Sequence, residues 1–369
     1  MKRKPKKLAK HPTRCHKVTV LAALGLVALQ FLLPLALVLP AALAEQSASA
    51  LDKDPADSAD ASVAVSDAAN TSTEESTRVQ QSDTLDGGVT LTVLLDGETE
   101  TMTLEDYLWG VVAAEMPAAF QQEALRAQAI AARTYTLYRL ANPSASHPAA
   151  DICGDSGCCQ AWMSVEERMA QWDSDKADSY AEKITQAVTG TDGLALYYDG
   201  EPILAAFHAI SAGSTKSALE VWGQDIPYLQ AVTSPEGEDA APNYYSTVSV
   251  DKADFAATFS TEYPEADLSA EDCGDWFGAE TYDETGLPVS IEIGGVEVDT
   301  SQVRTLFDLR SATFTVECDG DTITFYVTGY GHGVGMSQYG ANALAKKGKT
   351  AEEILAWYYT GAEVKEMSN

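Results

Sequence analysis

A single glutamate at the end of an apolar helical stripe is the first residue whose position suggests chemistry. Glu115 follows Val111 by four residues and Val112 by three, so a helix places the three on one face. Burial raises the pKa of a carboxyl group, and the negative end of a helix dipole acts in the same direction. Glu115 is therefore a candidate general acid. Exposure where the helix ends, or an ion pair with Arg126 or Arg133, is the alternative.

Four soft ligands lie close together farther along the chain, in "HPAADICGDSGCC". His147, Cys153, Cys158 and Cys159 fall within 13 residues, and the glycines between them permit tight turns. Four nitrogen and sulfur ligands suffice for a closed tetrahedral zinc site. A local disulfide between Cys153 and either Cys158 or Cys159 accounts for the same residues in an oxidising compartment. The sequence leaves both interpretations open.

A glycine-rich segment near the C terminus, "TGYGHGVGMSQYGA", carries His332, Ser337 and Gln338. Glycine lets a backbone approach a ligand closely, so this segment is a candidate binding loop. A phosphate-binding P-loop is disfavoured because no Lys follows the glycines in the required order. A plain tight turn is the other alternative, since a His in a turn acts in catalysis only where other polar groups converge on it.

A histidine and a serine, His208 and Ser211, follow an apolar run in "AFHAISAGSTKSALEVWG". Such a pair could suggest a nucleophile and its base. The segment lacks the G-x-S-x-G elbow, and no third orienting acid stands at a recognisable position. A serine hydrolase is therefore disfavoured.

The elements that must hold these residues can be placed from periodicity and caps. From Val89 an Asp-Gly turn between two alternating runs predicts a β-hairpin. Thr103 and Asp106 have the spacing of a helix start, and Pro117 ends that helix. A second helix, from Gln121 to about residue 140, has an Ala-rich face, and a third helical stretch covers roughly 166–189.

The C-terminal half predicts mainly strands, followed by two helices. Strands are expected near 194–198 and 203–209, with further β-like runs at 288–298 and 312–328 around a helix near 301–309. Helices near 337–347 and 350–359 close the chain. Helices and largely antiparallel strands in mixed order predict an α+β domain with a smaller inserted lobe.

The N-terminal quarter is not expected to belong to the folded domain. Residues 1–17 carry eight Lys or Arg, and residues 18–44 have no charge. Because this apolar run exceeds the core of a cleavable signal, we expect a transmembrane anchor with the remainder outside the cell. The small residues Ala42 and Ala44 keep a cleaved signal as the alternative. Residues 45–88 are rich in Ser, Ala, Asp and Thr and predict a disordered linker, so the folded domain is expected over 89–369.

The charge of the chain bears on its binding partners, and its cysteines bear on disulfide formation. Beyond residue 17 the chain has 16 Lys or Arg against 55 Asp or Glu, a formal charge of −39. Such a surface repels nucleic acid, so no nucleic-acid partner is expected. Cys273 and Cys318 are a candidate disulfide outside the cell, and a pair of reduced buried cysteines is the alternative.

Four ordered segments resemble the stage II sporulation protein D family. They are "LEDYLWGVVAAEMP", "EALRAQAIAARTY", "SAGSTKSALEVWG" with "IPYLQAV", and "GYGHGVGMSQYGANALAKKG" with "EILAWYY". The resemblance runs from about Val89 to the end. It implies a membrane-anchored lytic transglycosylase that cuts peptidoglycan glycan strands lacking stem peptides. A related amidase-enhancer group shares these motifs and implies a cell-wall amidase as a partner.

The resemblance also implies roles for individual residues. Glu115, in the "EMP" motif, corresponds to the catalytic acid and base. A zinc ion would be structural, and Cys158 stands at a ligand position where a His is expected. In a separate motif, Ala212 stands where a Gly is expected. The implied zinc ligands are His147, Cys153, Cys158 and Cys159. The residues that motif position places along the groove are Gln128, Arg133, Ser211, His332 and Gln338.

Three function classes follow from these observations. The first is the transglycosylase, which needs one carboxyl group. The second is a regulatory module that stimulates an amidase. The third is a zinc hydrolase, which is disfavoured because four protein ligands leave the metal no open position.

Overall fold

The computed structural model describes residues 84–367. The predicted basic flank, the predicted anchor at 18–44 and most of the predicted linker lie outside this range. Between residues 84 and 367, none of the helices combines the length and apolar character needed to span a bilayer. Residues 84–88, assigned to the linker from sequence, belong to the fold, and Asp86 within them is buried.

The described chain alternates helices with short strands. The helices are α1 (Leu104–Glu115), α2 (Gln122–Ala141), α3 (Val165–Gln171), α4 (Ala177–Thr189), α5 (Ala218–Trp222), α6 (Lys252–Glu262), α7 (Thr300–Leu306), α8 (Gln338–Lys346) and α9 (Ala351–Tyr358). The strands are β1 (Thr90–Leu95), β2 (Glu98–Thr103), β3 (Ile152–Cys153), β4 (Leu194–Tyr198), β5 (Glu201–Pro202), β6 (Phe207–His208), β7 (Tyr245–Asp251), β8 (Phe277–Tyr282), β9 (Pro288–Ile293), β10 (Val296–Asp299), β11 (Phe314–Asp319), β12 (Thr322–Thr328), β13 (Met336–Ser337) and β14 (Glu363–Glu366).

Helix α1 forms where the sequence predicts it. The Thr103 hydroxyl accepts the backbone N–H of Asp106 at 3.1 Å, which caps the first turn. The apolar stripe that includes Leu104, Val111 and Val112 is fully buried. It faces α2, whose Ala-rich face is buried as well, and α2 also packs against α4, α8 and α9. Helices from the N-terminal part of the domain (α1 and α4) and from its C-terminal part (α8 and α9) therefore all pack against α2.

Small sheets surround these helices. The orders are β2-β1-β3 and β14-β4-β5, and a parallel pair joins β6 to β13. The β1–β2 pair is the predicted hairpin, in register from Thr90 with Thr103 to Leu95 with Glu98. Strand β3 adds to β1 in parallel. This pairing fixes the start of the segment that holds the cysteine cluster.

Residues 245–328 form the inserted lobe. Two antiparallel sheets, β10-β9-β8 and β11-β12-β7, enclose their own aromatic core with Phe255 and Phe325 at its centre. Cys273 and Cys318 are disulfide-bonded in this lobe, with their Cα atoms 5.9 Å apart. The N–H of Gly329 donates to the carbonyl of Tyr244, so the chain leaves the lobe beside the point where it enters.

The mixed α+β class with mostly antiparallel strands is confirmed, and two boundaries differ from the prediction. The stretch 166–189 is two helices, α3 and α4. The carbonyl of Asp173 accepts the N–H groups of Lys176 and Ala177 in a turn between them, a conformation that Asp and Ser favour. The predicted strand at 203–209 is reduced to the two residues of β6.

Candidate active site

Glu115 is the last residue of α1, and its carboxylate lies between two hydrogen-bond donors. Oε1 accepts the backbone N–H of Ala161 at 2.7 Å. Oε2 accepts the side-chain amide of Gln338 at 3.2 Å. The residue is half-buried, and the two donors hold its carboxyl group in place.

Burial raises the pKa of Glu115, and the Ala161 N–H and the Gln338 amide offset only part of this effect. Within residues 84–367 the ion-pair alternative gains no support. Arg126 pairs with Glu123 at 3.7 Å and Arg133 pairs with Asp86, so neither guanidinium neutralises Glu115. A protonated Glu115 is the form that a general acid requires.

Gln338 reaches Glu115 because α8 starts beside the end of α1. Ser337 caps α8, and its hydroxyl oxygen accepts the N–H of Gly340 at 3.2 Å. The Asn342 side chain accepts the N–H of Gln121 at 2.9 Å and ties the same helix to the start of α2. The Gln338 amide also lies 3.5 Å from Oε1 of the buried Gln128. Glu115, Gln338 and Gln128 thus form one short polar chain.

The second donor, Ala161, is delivered by the cysteine loop (residues 147–162). The loop leaves β3, where the N–H of Gly154 donates to the carbonyl of Leu94, and it returns with the N–H of Trp162 donating to the carbonyl of Gly154. Trp162 then packs on α1 at Gly110, where a Cβ would lie 2.2 Å from the indole nitrogen. Glycine at this position of α1 is what lets the loop approach Glu115.

The cysteine loop brings its four predicted metal ligands together. One ligand atom from each of His147, Cys153, Cys158 and Cys159 lies within 4.8 Å of the others. His147 Nε2 is 3.2 Å from the Cys159 sulfur, and the sulfurs of Cys158 and Cys159 are 4.0 Å apart. Ligand atoms around a tetrahedral zinc are about 3.5–3.8 Å apart, so small side-chain rotations suffice to close the site.

The surroundings of His147 also suit a metal ligand. Its Nδ1 lies 3.0 Å from the carbonyl of Ala150, a partner that leaves Nε2 free to bind an ion. Burial raises the pKa of the Cys153 and Cys158 thiols, whereas the backbone of Cys153 and the His147 ring outweigh burial at Cys159 and lower its pKa. The three cysteines of the loop are free thiols in the structure. The residues therefore fit zinc.

The glycines of the glycine loop (residues 329–335) let it approach another segment of the same chain closely. A Cβ at Gly335 would lie 2.0 Å from the carbonyl oxygen of Ala206, and one at Gly331 would lie 2.7 Å from the His208 side chain. Both glycines have positive φ. These glycines let the loop lie directly on residues 206–211 of its own chain, which seats Ser337 and Gln338.

His332 lies in this loop in contact with two rings. Its Nδ1 accepts the N–H of Val334 at 3.1 Å, and its ring centroid is 5.7 Å from His208 and 5.4 Å from Trp222. Burial, with His208 and Arg304 nearby, lowers the pKa of His332 to about 3. His332 is therefore neutral and can act through hydrogen bonds and ring contacts.

Ser211 is buried against a carboxylate that sequence reasoning missed. Its N–H and its hydroxyl both donate to Glu236 Oε1, at 2.9 and 2.7 Å. Next to it, Ala212 stands where the family resemblance led us to expect glycine. Ala212 is not among the non-glycine residues with positive φ in the described chain, so its methyl group causes no backbone strain there.

Arg133 lies on α2 and is buried inside the fold. Its guanidinium is fully buried and donates to both carboxylate oxygens of Asp86, with Nε at 2.8 and 3.0 Å. A further donor reaches the carbonyl of Leu194 at 3.0 Å. These contacts give Arg133 a place in the core of the fold, and its predicted role at the groove stays a prediction.

Of the predicted groove residues, the structure brings Gln338 to Glu115, and Gln128 to Gln338. Ser211 and His332 lie in the two segments that pack against each other before α8, residues 206–211 and the glycine loop. Arg133 belongs to a separate buried ion pair with Asp86. Two participants were missed: the Ala161 backbone N–H and Glu236. A backbone donor has no signature in sequence, and Glu236 stands in an irregular Pro-Glu-Gly segment without periodicity.

The chain is similar in sequence to known proteins. A family model described as "Stage II sporulation protein" matches residues 97–198. Stage II sporulation protein D of Bacillus subtilis (strain 168) is 37% identical over 268 residues, which cover 72% of this chain and 76% of the relative. The protein of the same name from Bacillus amyloliquefaciens is 39% identical over 270 residues, covering 72% and 75%.

A more distant relative is named "Amidase enhancer", also from Bacillus subtilis (strain 168). It is 28% identical over 302 residues, which cover 69% of this chain and 39% of the relative. The two relatives described before it match most of their own length as well as most of this chain. On that coverage, the chain belongs to the stage II sporulation protein D family.

Proposed function

We propose that this protein is a lytic transglycosylase that cuts peptidoglycan glycan strands lacking stem peptides. The observation that carries the proposal is the carboxyl group of the half-buried Glu115, which has a raised pKa and is oriented by two donors. A group in this state can give a proton to a leaving oxygen and later accept another. One such group suffices for this reaction.

In the proposed reaction the proton of Glu115 passes to the glycosidic oxygen as the bond from C1 of muramic acid breaks. The resulting carboxylate then takes the proton of the muramic C6 hydroxyl, whose oxygen attacks C1. The products are a free 4-hydroxyl end and a 1,6-anhydro end. Water is not consumed, and Glu115 is protonated again for the next turnover.

The hydrogen bonding of Glu236 supports this reaction over a hydrolysis in which Glu236 takes part. A glycosidase usually requires a second carboxylate about 5–10 Å from the first, either as nucleophile or as base for water. Glu236 is the carboxylate linked to Glu115 through Ser337 and Gln338, and its oxygens already accept four protein donors. A carboxylate occupied in this way is a poor nucleophile or base.

Zinc and membrane attachment are further parts of the proposal. His147, Cys153, Cys158 and Cys159 would hold one zinc ion with no open position, so the metal would stabilise the cysteine loop without taking part in the reaction. The basic flank and apolar run at 1–44 would anchor the chain in the cell membrane with the acidic domain outside.

A second candidate function is regulation of a cell-wall amidase. The relative named "Amidase enhancer" favours it. On this reading the groove would present glycan to a partner hydrolase, and Glu115 would bind without reacting. The two functions differ in what the purified protein does alone.

Mass spectrometry of peptide-free glycan strands after digestion separates these functions. The transglycosylase gives 1,6-anhydro ends, a hydrolase gives reducing ends, and an enhancer gives no product without its partner. Glu115→Gln should bind glycan normally while the rate falls by about 10²–10⁴-fold, and Glu115→Asp should lose nearly as much because its carboxyl is withdrawn from the bond. Glu98→Gln, on the exposed edge of β2, is the matched control. Wild-type rates in Glu115→Gln would remove Glu115 from the mechanism.

A further inference from the structure

Glu236 is a buried carboxylate surrounded by donors from three separate segments. Oε1 accepts the N–H and hydroxyl of Ser211 and the hydroxyl of Ser337, and Oε2 accepts the hydroxyl of Ser234 at 2.5 Å. The Ser234 hydroxyl also lies 2.6 Å from that of the buried Tyr358. Only 4% of the Glu236 surface is exposed, so it is sealed from solvent and from any glycan.

We propose that Glu236 is a positioning residue that holds Gln338 on Glu115 by fixing Ser337. The inference rests on the proposed function, because it assigns Glu236 to the same catalytic carboxyl group. Glu236 does not touch the glycan, and it acts through the first residues of α8.

The Ser337 hydroxyl carries this connection because it makes two hydrogen bonds of opposite kinds. Its proton is donated to Glu236, and its oxygen accepts the N–H of Gly340. The bond to Glu236 sets the hydroxyl in the orientation that caps α8. Gln338 is the first residue of α8, so fixing the cap also fixes the backbone from which the Gln338 amide reaches Glu115.

The packing around Glu236 leaves α8 little freedom to shift. A Cβ at Gly340 would lie 2.6 Å from Glu236 Oε2 and 2.1 Å from the Tyr358 hydroxyl. The glycine therefore lets α8 lie directly on the carboxylate. A buried charge is costly unless it is fully hydrogen-bonded, and here each donor that satisfies it belongs to a segment that borders α8. Because these donors must stay in place to satisfy the buried carboxylate, the start of α8 and the Gln338 side chain are held in position.

The test compares Glu236→Gln and Ser337→Ala with the control Ser234→Ala in the full-length protein. Glu236→Gln keeps the shape but removes the charge and one acceptor, and Ser337→Ala removes the hydroxyl that leads to α8. Both should lower kcat on peptide-free glycan by about 10–10²-fold with little change in KM, the loss expected from a displaced catalytic group. Ser234→Ala removes a donor to the other oxygen of the same carboxylate and leaves the Ser337 cap in place, so its kcat should fall less than that of Ser337→Ala.

Two further measurements separate positioning from general destabilisation. The double variant Glu236→Gln/Gln338→Met should be no slower than Gln338→Met alone, because both changes act through one amide. Amide hydrogen exchange near residues 338–342 should accelerate more in Glu236→Gln and Ser337→Ala than in Ser234→Ala, which keeps the Ser337 cap. The exchange result does not depend on activity.

Several outcomes would overturn the inference. If the losses of Glu236→Gln and Gln338→Met multiply, Glu236 acts by another route. If exchange at the start of α8 is unchanged in Glu236→Gln, the link through Ser337 is wrong. If wild-type protein makes no anhydro product, the proposed function fails, and the exchange experiment alone then decides whether Glu236 positions α8.

Discussion

The side-chain amide of Gln338 donates a hydrogen bond to Glu115 Oε2 across 3.2 Å, although 223 positions separate the two residues in sequence. Glu115 ends α1, near the beginning of the domain, and Gln338 begins α8, near its end. The site is therefore complete only when the C-terminal helices have packed against α2. The geometry around Glu115 depends on long-range packing as well as on local motifs.

We expect the Glu115 carboxyl group to lower stability as pH rises. Because its pKa is raised in the folded protein, the folded form keeps the proton where the unfolded chain has lost it. Its contribution to stability is therefore full below the unfolded pKa of about 4.3 and is lost as pH rises toward the folded pKa. The unfolding free energy of wild type relative to Glu115→Gln should fall across that window. Parallel denaturant titrations at several pH values measure it, and a difference that rises with pH would contradict the prediction.

Gln338→Met should move the pH dependence of the reaction upward. The Gln338 amide favours the ionised form of Glu115, so its removal raises the pKa of Glu115 further. The reaction starts from protonated Glu115, and the alkaline limb of kcat/KM should shift to higher pH. The maximal rate should also fall because the carboxyl loses an orienting partner. An alkaline limb that moves to lower pH would show that Gln338 does not interact with ionised Glu115.

The helical part of this site could be predicted from sequence, whereas its convergence could not. The apolar spacing up to Glu115 and the Thr103 cap define α1, and the four predicted ligands of the cysteine loop are close in sequence, so local rules suffice for both. Ala161 acts through its backbone, and its position depends on Trp162 packing against Gly110. The glycines at 329–335 predict close approach without saying to what, and the structure shows that the neighbour is the chain itself.

Zinc should bind to the cysteine loop and stabilise it. Elemental analysis of full-length protein should find about one zinc per chain, and chelation should lower the melting temperature. Since the loop carries Ala161, metal loss should also slow the reaction. Cys158→His keeps a competent ligand and should retain the metal, whereas Cys158→Ser should lose it. Metal-free protein with oxidised Cys153, Cys158 or Cys159 would favour the disulfide alternative.

Arg133→Met should destabilise the fold by about 3–5 kcal/mol, the usual cost of leaving one member of a buried ion pair unpaired. Asp86 would lose its guanidinium partner while sealed from solvent. Arg126→Met is the matched control on the same helix, because its partly exposed pair with Glu123 should contribute no more than about 1 kcal/mol. Asp86→Leu/Arg133→Met should recover part of the loss, since neither charge is then left buried alone. Urea unfolding measures the stabilities, and steady-state rates on peptide-free glycan give KM for the same variants. If Arg133→Met instead kept its stability and raised KM, Arg133 would belong to the groove. The role implied by the family resemblance would then be right, despite the burial of Arg133 in the fold.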